Sequence, residues 1–126
     1  MRSLALALIV APALVHGAAP KVVRTVKAEY PSWARGAGLA TVVRLRVLVG
    51  ADGRAHRIEV MPYTTRDDIL TRSMRASFDS AAVRAAWRWT FLPGTRRGRR
   101  VASWLAVEVP FADPKDAPDT ARGARP

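Results

Sequence analysis

Few side chains in this sequence are equipped for chemistry. Its 126 residues include no cysteine and two histidines, His16 and His56. Disulfides, thiolate metal sites and cysteine nucleophiles are thereby excluded, and histidine-pair mechanisms nearly so. His16 falls within a leader-like segment, which leaves His56 as the one histidine to weigh. Alone on a strand, it reads as a solvated residue rather than a general base. Asp67-Asp68 is the single pair of adjacent carboxylates. Neighbouring side chains diverge, and negative charge suits a helix start, so the pair reads as a cap. The sequence shows no glycine-rich phosphate loop, no His–Glu metal spacing and no nucleophile elbow. Neither an enzyme nor a bound cofactor or metal is expected.

Positive charge is the abundant chemistry. Lysine and arginine total 21 against 10 acidic residues, a formal charge of +11. The densest run is Arg96-Arg97-Gly98-Arg99-Arg100. It fits an anion-binding patch for acidic protein segments, lipid phosphates or nucleic acid, or a solvated connecting loop. Export of the chain argues against nucleic acid. The aromatics Trp33, Trp87, Trp89, Phe91 and Trp104 bring base stacking into view. Burial is the better reading for Trp89 and Phe91, whereas Trp87 and Trp104 are harder to bury.

The elements that must position these residues follow from periodicity. Met1-Arg2, the apolar run Leu4–Val15 and the small residues 17–19 form a secretory signal layout. Cleavage is expected after Gly17, with an uncleaved membrane anchor as the alternative. Residues 18–29 read as an extended lead-in that packs weakly. Tyr30-Pro31 opens a short helix that Gly36 and Gly38 end. Thr41–Val49 alternates as a strand, with Val43, Leu45, Val47 and Val49 on one face. Asp52-Gly53 turns the chain. A second strand, Arg54–Met61, keeps its register only with a bulge near His56-Arg57.

Thr65-x-x-Asp68 resembles a capping box for a short helix through Met74. The main helix is expected over 79–89, capped by Ser77 or Asp79, with Phe78, Ala82, Ala85 and Trp89 in one stripe. Phe91, Pro93 and Gly94 end it. Val101–Phe111 is the last strand, with its odd-numbered residues facing the helices. The tail from Ala112 is expected to be disordered. Hairpins with segregated helices imply an α+β fold built on an antiparallel sheet.

Three motifs in this order carry a family resemblance. Tyr30-Pro31 precedes a short helix, Asp52-Gly53-Arg54 ends a strand, and Trp89-x-Phe91-x-Pro93 precedes the final strand. Over Tyr30–Phe111 the chain resembles the C-terminal domain of the TonB energy transducers. The resemblance implies a periplasmic domain with two helices on one face of a three-stranded antiparallel sheet. It also implies that an extended segment of an outer-membrane transporter, the TonB box, adds beside the last strand. Val101, Ala102, Ser103, Trp104 and Leu105 would then bind the partner, with Arg97, Arg99 and Arg100 selecting its side chains. The N-terminal segment or a second copy of the chain, giving a homodimer, would compete for that edge. An ExbB–ExbD-type motor becomes a partner only if the N-terminus is retained. Family transducers carry a long proline-rich spacer, whereas here residues 18–29 reach at most about 40 Å. A basic domain held electrostatically to anionic lipid or polymer is the alternative function.

Overall fold

A computed structural model describes residues 17–63 and 70–116. The apolar run of the leader, the Thr65-x-x-Asp68 and Asp67-Asp68 motifs, and the chain beyond Asp116 lie outside the described residues.

The centre of the fold is β2 (Thr41–Val49), flanked by β3 (Ala55–Val60) and β7 (Ser103–Phe111) in an antiparallel sheet of order β3-β2-β7. Alternation places Val43, Leu45, Val47 and Val49 wholly inside, while Arg44 and Arg46 face solvent, as a half-buried strand requires. The Gly50–Gly53 turn joins β2 to β3, and the Gly53 N–H donates to the Gly50 carbonyl at 2.9 Å. Leu48 pairs with Arg57 but Val49 with Ala55. His56 is therefore the extra residue of a bulge, as the broken alternation of β3 foretold. The bulge sets the His56 ring on the Asp52 carboxylate, with Nε2 at 3.0 Å from Oδ1.

One helix, α1 (Arg72–Ala86), lies over β2 and β3. Phe78, Ala81, Ala82, Ala85 and Ala86 form its buried stripe, at the spacing of a single helical face. Four alanines let the helix approach the sheet closely. The helix begins seven residues before the expected start. Thr71 caps it, accepting a bond from the Met74 N–H at 3.3 Å, and neither Ser77 nor Asp79 does. Asp79 lies mid-helix and accepts a hydrogen bond from the Tyr63 hydroxyl. The helix also ends sooner, so Trp89 packs from the segment after it rather than from its stripe.

Among the described residues the expected pair of helices reduces to this one. Tyr30-Pro31 leads into a single 3-10 turn, Ser32–Ala34. Gly36 and Gly38, at φ +85° and +73°, turn the chain away before a helix can propagate. Tyr30 itself is core. Its ring packs edge-on to Phe78 at 5.5 Å, and its hydroxyl donates to the Leu39 carbonyl at 2.7 Å. Phe111 closes the cluster, 5.1 Å from Phe78.

The lead-in also differs from expectation. Residues 21–24 form β1, antiparallel to β4 (Thr90–Leu92), and the same register carries Ala18 opposite Thr95. All four residues of β1 are exposed, so no alternation marked it as a strand. Beyond it, the Trp89 indole N–H donates to the Val26 carbonyl at 2.9 Å. Phe91, expected to end the helix, is the buried centre of β4. The last strand is interrupted as well. β5 (Gly94–Arg96) and β6 (Arg99–Val101) form a hairpin, and Ala102 separates β6 from β7.

Two of the sequence motifs meet here. The Phe91 N–H donates to the Gly53 carbonyl at 2.9 Å. Gly53 sits at φ +80°, and a Cβ there would lie 2.6 Å from the Phe91 carbonyl oxygen and 3.8 Å from Pro93 Cδ. Asp-Gly is thus more than a turn signal, because only glycine admits the strand after the helix.

The tail departs from expectation through Asp113, which is 1% exposed. Its carboxylate accepts the Gly38 N–H at 2.8 Å and the Lys115 N–H at 3.0 Å. The Lys115 ammonium reaches the Gly36 carbonyl at 2.8 Å. Residues 112–116 therefore latch onto the 36–38 loop. Burial works to raise the Asp113 pKa, but the donated N–H groups and the Lys115 charge outweigh it and hold the carboxyl below its usual 3.8.

Two expected outcomes follow. Gly53→Ala combines left-handed strain with a backbone collision and lowers the melting temperature by roughly 10 °C or more. Gly36→Ala carries the same strain with nothing within 4 Å of the new methyl, and its smaller loss isolates the collision. Second, a carboxyl whose folded pKa is depressed adds stability above its unfolded pKa and loses it as pH falls through the folded one. Melting curves should show Asp113→Asn clearly below the parent at neutral pH. The gap closes as the pH drops below 3.8, the ordinary value of the group.

Candidate partner-binding edge

β7 is hydrogen-bonded to β2 on one side, and among the described residues no strand occupies its other side. β1 does not cover it, having paired with β4 instead. The direction of its free groups follows from the ladder. The Met61 N–H donates to the Arg44 carbonyl at 2.8 Å, so the backbone groups of even-numbered β2 residues point to β3. Those of odd-numbered ones point to β7, since N–H and C=O of one residue share a side in an antiparallel pair. The register Val43↔Val109, Leu45↔Val107 and Val47↔Leu105 then turns the odd residues of β7 inward to β2. Trp104, Ala106, Glu108 and Pro110 present their backbone groups outward. Pro110 contributes a carbonyl but no N–H, in keeping with the confinement of proline to edges.

The side chains of these same residues occupy the face away from α1. Trp104 remains 39% exposed, with the Arg46 guanidinium 4.1 Å above its ring. Arg46 also pairs with Glu59 at 3.4 Å, and Arg44 with Glu108 at 3.1 Å. An exposed cation over an indole contributes about 0.5–1 kcal/mol, enough to bias one rotamer of Trp104. Arg46 escaped the sequence reading because its proximity to Trp104 depends on the β2–β7 register.

The other sequence-derived site residues divide into two groups. Ser103 and Leu105 lie on β7 facing the core side, both half-buried, and Ser103 Oγ is enclosed without a hydrogen-bond partner. Val101, Arg99 and Arg100 belong to the β5–β6 hairpin, and Arg97 forms its tip at φ +52°. Ala102 is the exposed joint between them. Trp33 and Trp87 are about half exposed, on neither element. His56 is exposed, and among the described residues its carboxylate partner is Asp52. That carboxyl is held below its usual pKa chiefly by the Arg54 N–H, with the His56 hydrogen bond adding to it.

Comparison with known proteins identifies the family of the domain that carries this edge. The family described as Gram-negative bacterial TonB protein C-terminal matches residues 26–112. The chain belongs to that family. Its similarity to the protein tonB2 of Pseudomonas aeruginosa is 34% identity over 83 residues, 66% of this chain and 27% of that protein. The chain therefore matches only about a quarter of that relative's length. The solution NMR structure of the Pseudomonas aeruginosa TonB CTD superposes with a TM-score of 0.52 at 22% identity. It covers 78% of this chain and 90% of the other. That likeness concerns the fold, which both chains share as α+β. Within the TonB family match lie all three motifs, Tyr30-Pro31, Asp52-Gly53 and Trp89-x-Phe91-x-Pro93.

Proposed function

We propose that this TonB-family chain is a non-catalytic adaptor of the Gram-negative envelope, working in TonB-dependent transport across the outer membrane. In this reading its place is the periplasm. A TonB-box-like extended segment of an outer-membrane transporter adds to β7 as a further strand. The observation that carries the reading is the unpaired edge, with its outward N–H groups at Trp104, Ala106 and Glu108. Main-chain bonds along such an edge give affinity, and alternating side chains give selectivity. Trp104 is the natural selecting surface because the incoming strand lies beside it. Coupling to an ExbB–ExbD-type motor belongs to this reading only where the N-terminal segment stays in the membrane.

Hydrogen exchange tests the proposal without altering the protein. The amides of Trp104, Ala106 and Glu108 should exchange fast in the free chain. They should slow at least about tenfold on saturation with a TonB-box-like peptide, at low and high salt alike, because backbone pairing is little screened. Ala106→Pro removes one outward N–H while leaving the β2 side intact. It should weaken peptide binding about tenfold or more, with far-UV circular dichroism unchanged. Peptide-induced shifts confined to residues 96–100, and lost in salt, would refute strand addition. Slowing of the same three amides with rising protein concentration, in the absence of peptide, would reveal homodimer pairing at this edge instead.

A further inference from the structure

The positive charge of this chain is segregated. Residues 17–28 and 88–101 contain eight lysines and arginines and no carboxylate, whereas the other described residues hold nine cations and seven carboxylates. The fold joins those two charged segments into one ribbon of two two-stranded sheets, β1-β4 and β5-β6, linked by the Ala18–Thr95 bridge. A compositional surplus of arginine would be spread over the surface, yet here the imbalance sits on a single ribbon. None of the eight cations forms an ion pair among the described residues.

Within the ribbon the arrangement is electrostatically unfavourable by itself. Arg96 stands directly opposite Arg99, and like charges facing across a ladder destabilise it. The turn between them places Arg97 at φ +52°, so a third guanidinium is held at the tip. A bound anion would offset this repulsion. Guanidinium groups match phosphate oxygens with paired N–H donors.

The ribbon also exposes aliphatic side chains among its charges. Lys21 is paired with Leu92, which is 55% exposed, and Val23, bulged out of the β1 register, is 66% exposed. A soluble polyanion has no use for bare aliphatic groups. A bilayer does, because its headgroups supply phosphate and its acyl boundary accepts apolar side chains. We propose that this ribbon docks on the surface of an anionic phospholipid bilayer, with the arginine hairpin on the phosphates and Val23 and Leu92 in the acyl boundary. The docking face is separate from the β7 edge.

The absence of cysteine makes a site-specific test simple. In the full chain, Val23→Cys labelled with an environment-sensitive fluorophore is titrated with phosphatidylglycerol-containing vesicles and with pure phosphatidylcholine vesicles. Ala51→Cys, on the exposed β2–β3 turn, is labelled as the reference position. The expected result is a blue shift at position 23 on the anionic vesicles, absent on phosphatidylcholine and absent at position 51. Adding Arg96→Gln with Arg99→Gln should move the titration to about 30-fold more lipid, roughly fivefold per basic residue removed. Leu92→Ser should reduce the shift while leaving binding of soluble polyphosphate unchanged. Ala106→Pro should leave all of this intact, which separates the ribbon from the peptide edge. Equal shifts on both lipids, or at both positions, would overturn the proposal. So would indifference to the arginine pair, and so would polyphosphate binding with no shift on vesicles.

Discussion

Between the β2–β3 turn and the strand that follows the helix, two backbones meet with no room for a side chain. The Gly53 carbonyl takes the Phe91 N–H, and the space a methyl would need at Gly53 is filled by the Phe91 carbonyl. This contact decides where residues 90–96 run. Once fixed there, that strand offers one side to the lead-in and the other to β6, and it hands the chain on through Ala102 into β7. The alanine stripe of α1 then closes over β2 and β3, with Tyr30, Phe78 and Phe111 filling the far end. Backbone approaches of this kind tolerate little adjustment, since Phe91 is held in a ladder and Gly53 in a hydrogen-bonded turn.

Where the sequence had a clean period, it was a reliable guide. The strict alternation of Thr41–Val49, the turn at Asp52-Gly53 and the gap of three in β3 gave the central hairpin together with its bulge. The inward and outward residues of β7 also came out as expected. Signals failed where partners outside the segment decide structure. β1 has no buried residue, so nothing local marks it, and its pairing depends on a strand some seventy residues away. The start of α1 was obscured because Asp79 looks like a cap but spends its carboxylate on the Tyr63 hydroxyl, while Thr71 has no glutamate three residues on to advertise it. Asp113 read as part of a disordered tail of proline, alanine and charge. Its burial depends on the Gly36–Gly38 loop, distant in sequence, whose Gly38 N–H its carboxylate accepts. At the candidate edge, Trp104 was visible and Arg46 was not, for the same reason of register.

The three-stranded sheet and the ribbon divide the surface chemically. The β3-β2-β7 sheet pairs its exposed arginines with carboxylates, Arg44 on Glu108 and both Arg46 and Arg57 on Glu59, and leaves backbone groups unpaired at its margin. The ribbon of β1, β4, β5 and β6 differs in its charge, which no carboxylate among the described residues pairs. The ribbon is thereby the part suited to a partner that brings negative charge. Because β6 runs into β7 through one residue, both surfaces belong to a continuous piece of chain.

Pro110 gives the free edge a direction in the mechanical sense. Outward bonding groups extend from Trp104 to Pro110, about 20 Å at the rise of a strand, and they comprise three N–H and four C=O groups. Bonds in an antiparallel ladder lie across the strands, so tension along an added strand strains all of them at once, in shear. Tension applied sideways breaks them one after another, and it meets the weaker terminus at Pro110, where a donor is missing. A strand held on this edge would therefore resist a pull along its axis far better than one that lifts it from the proline end.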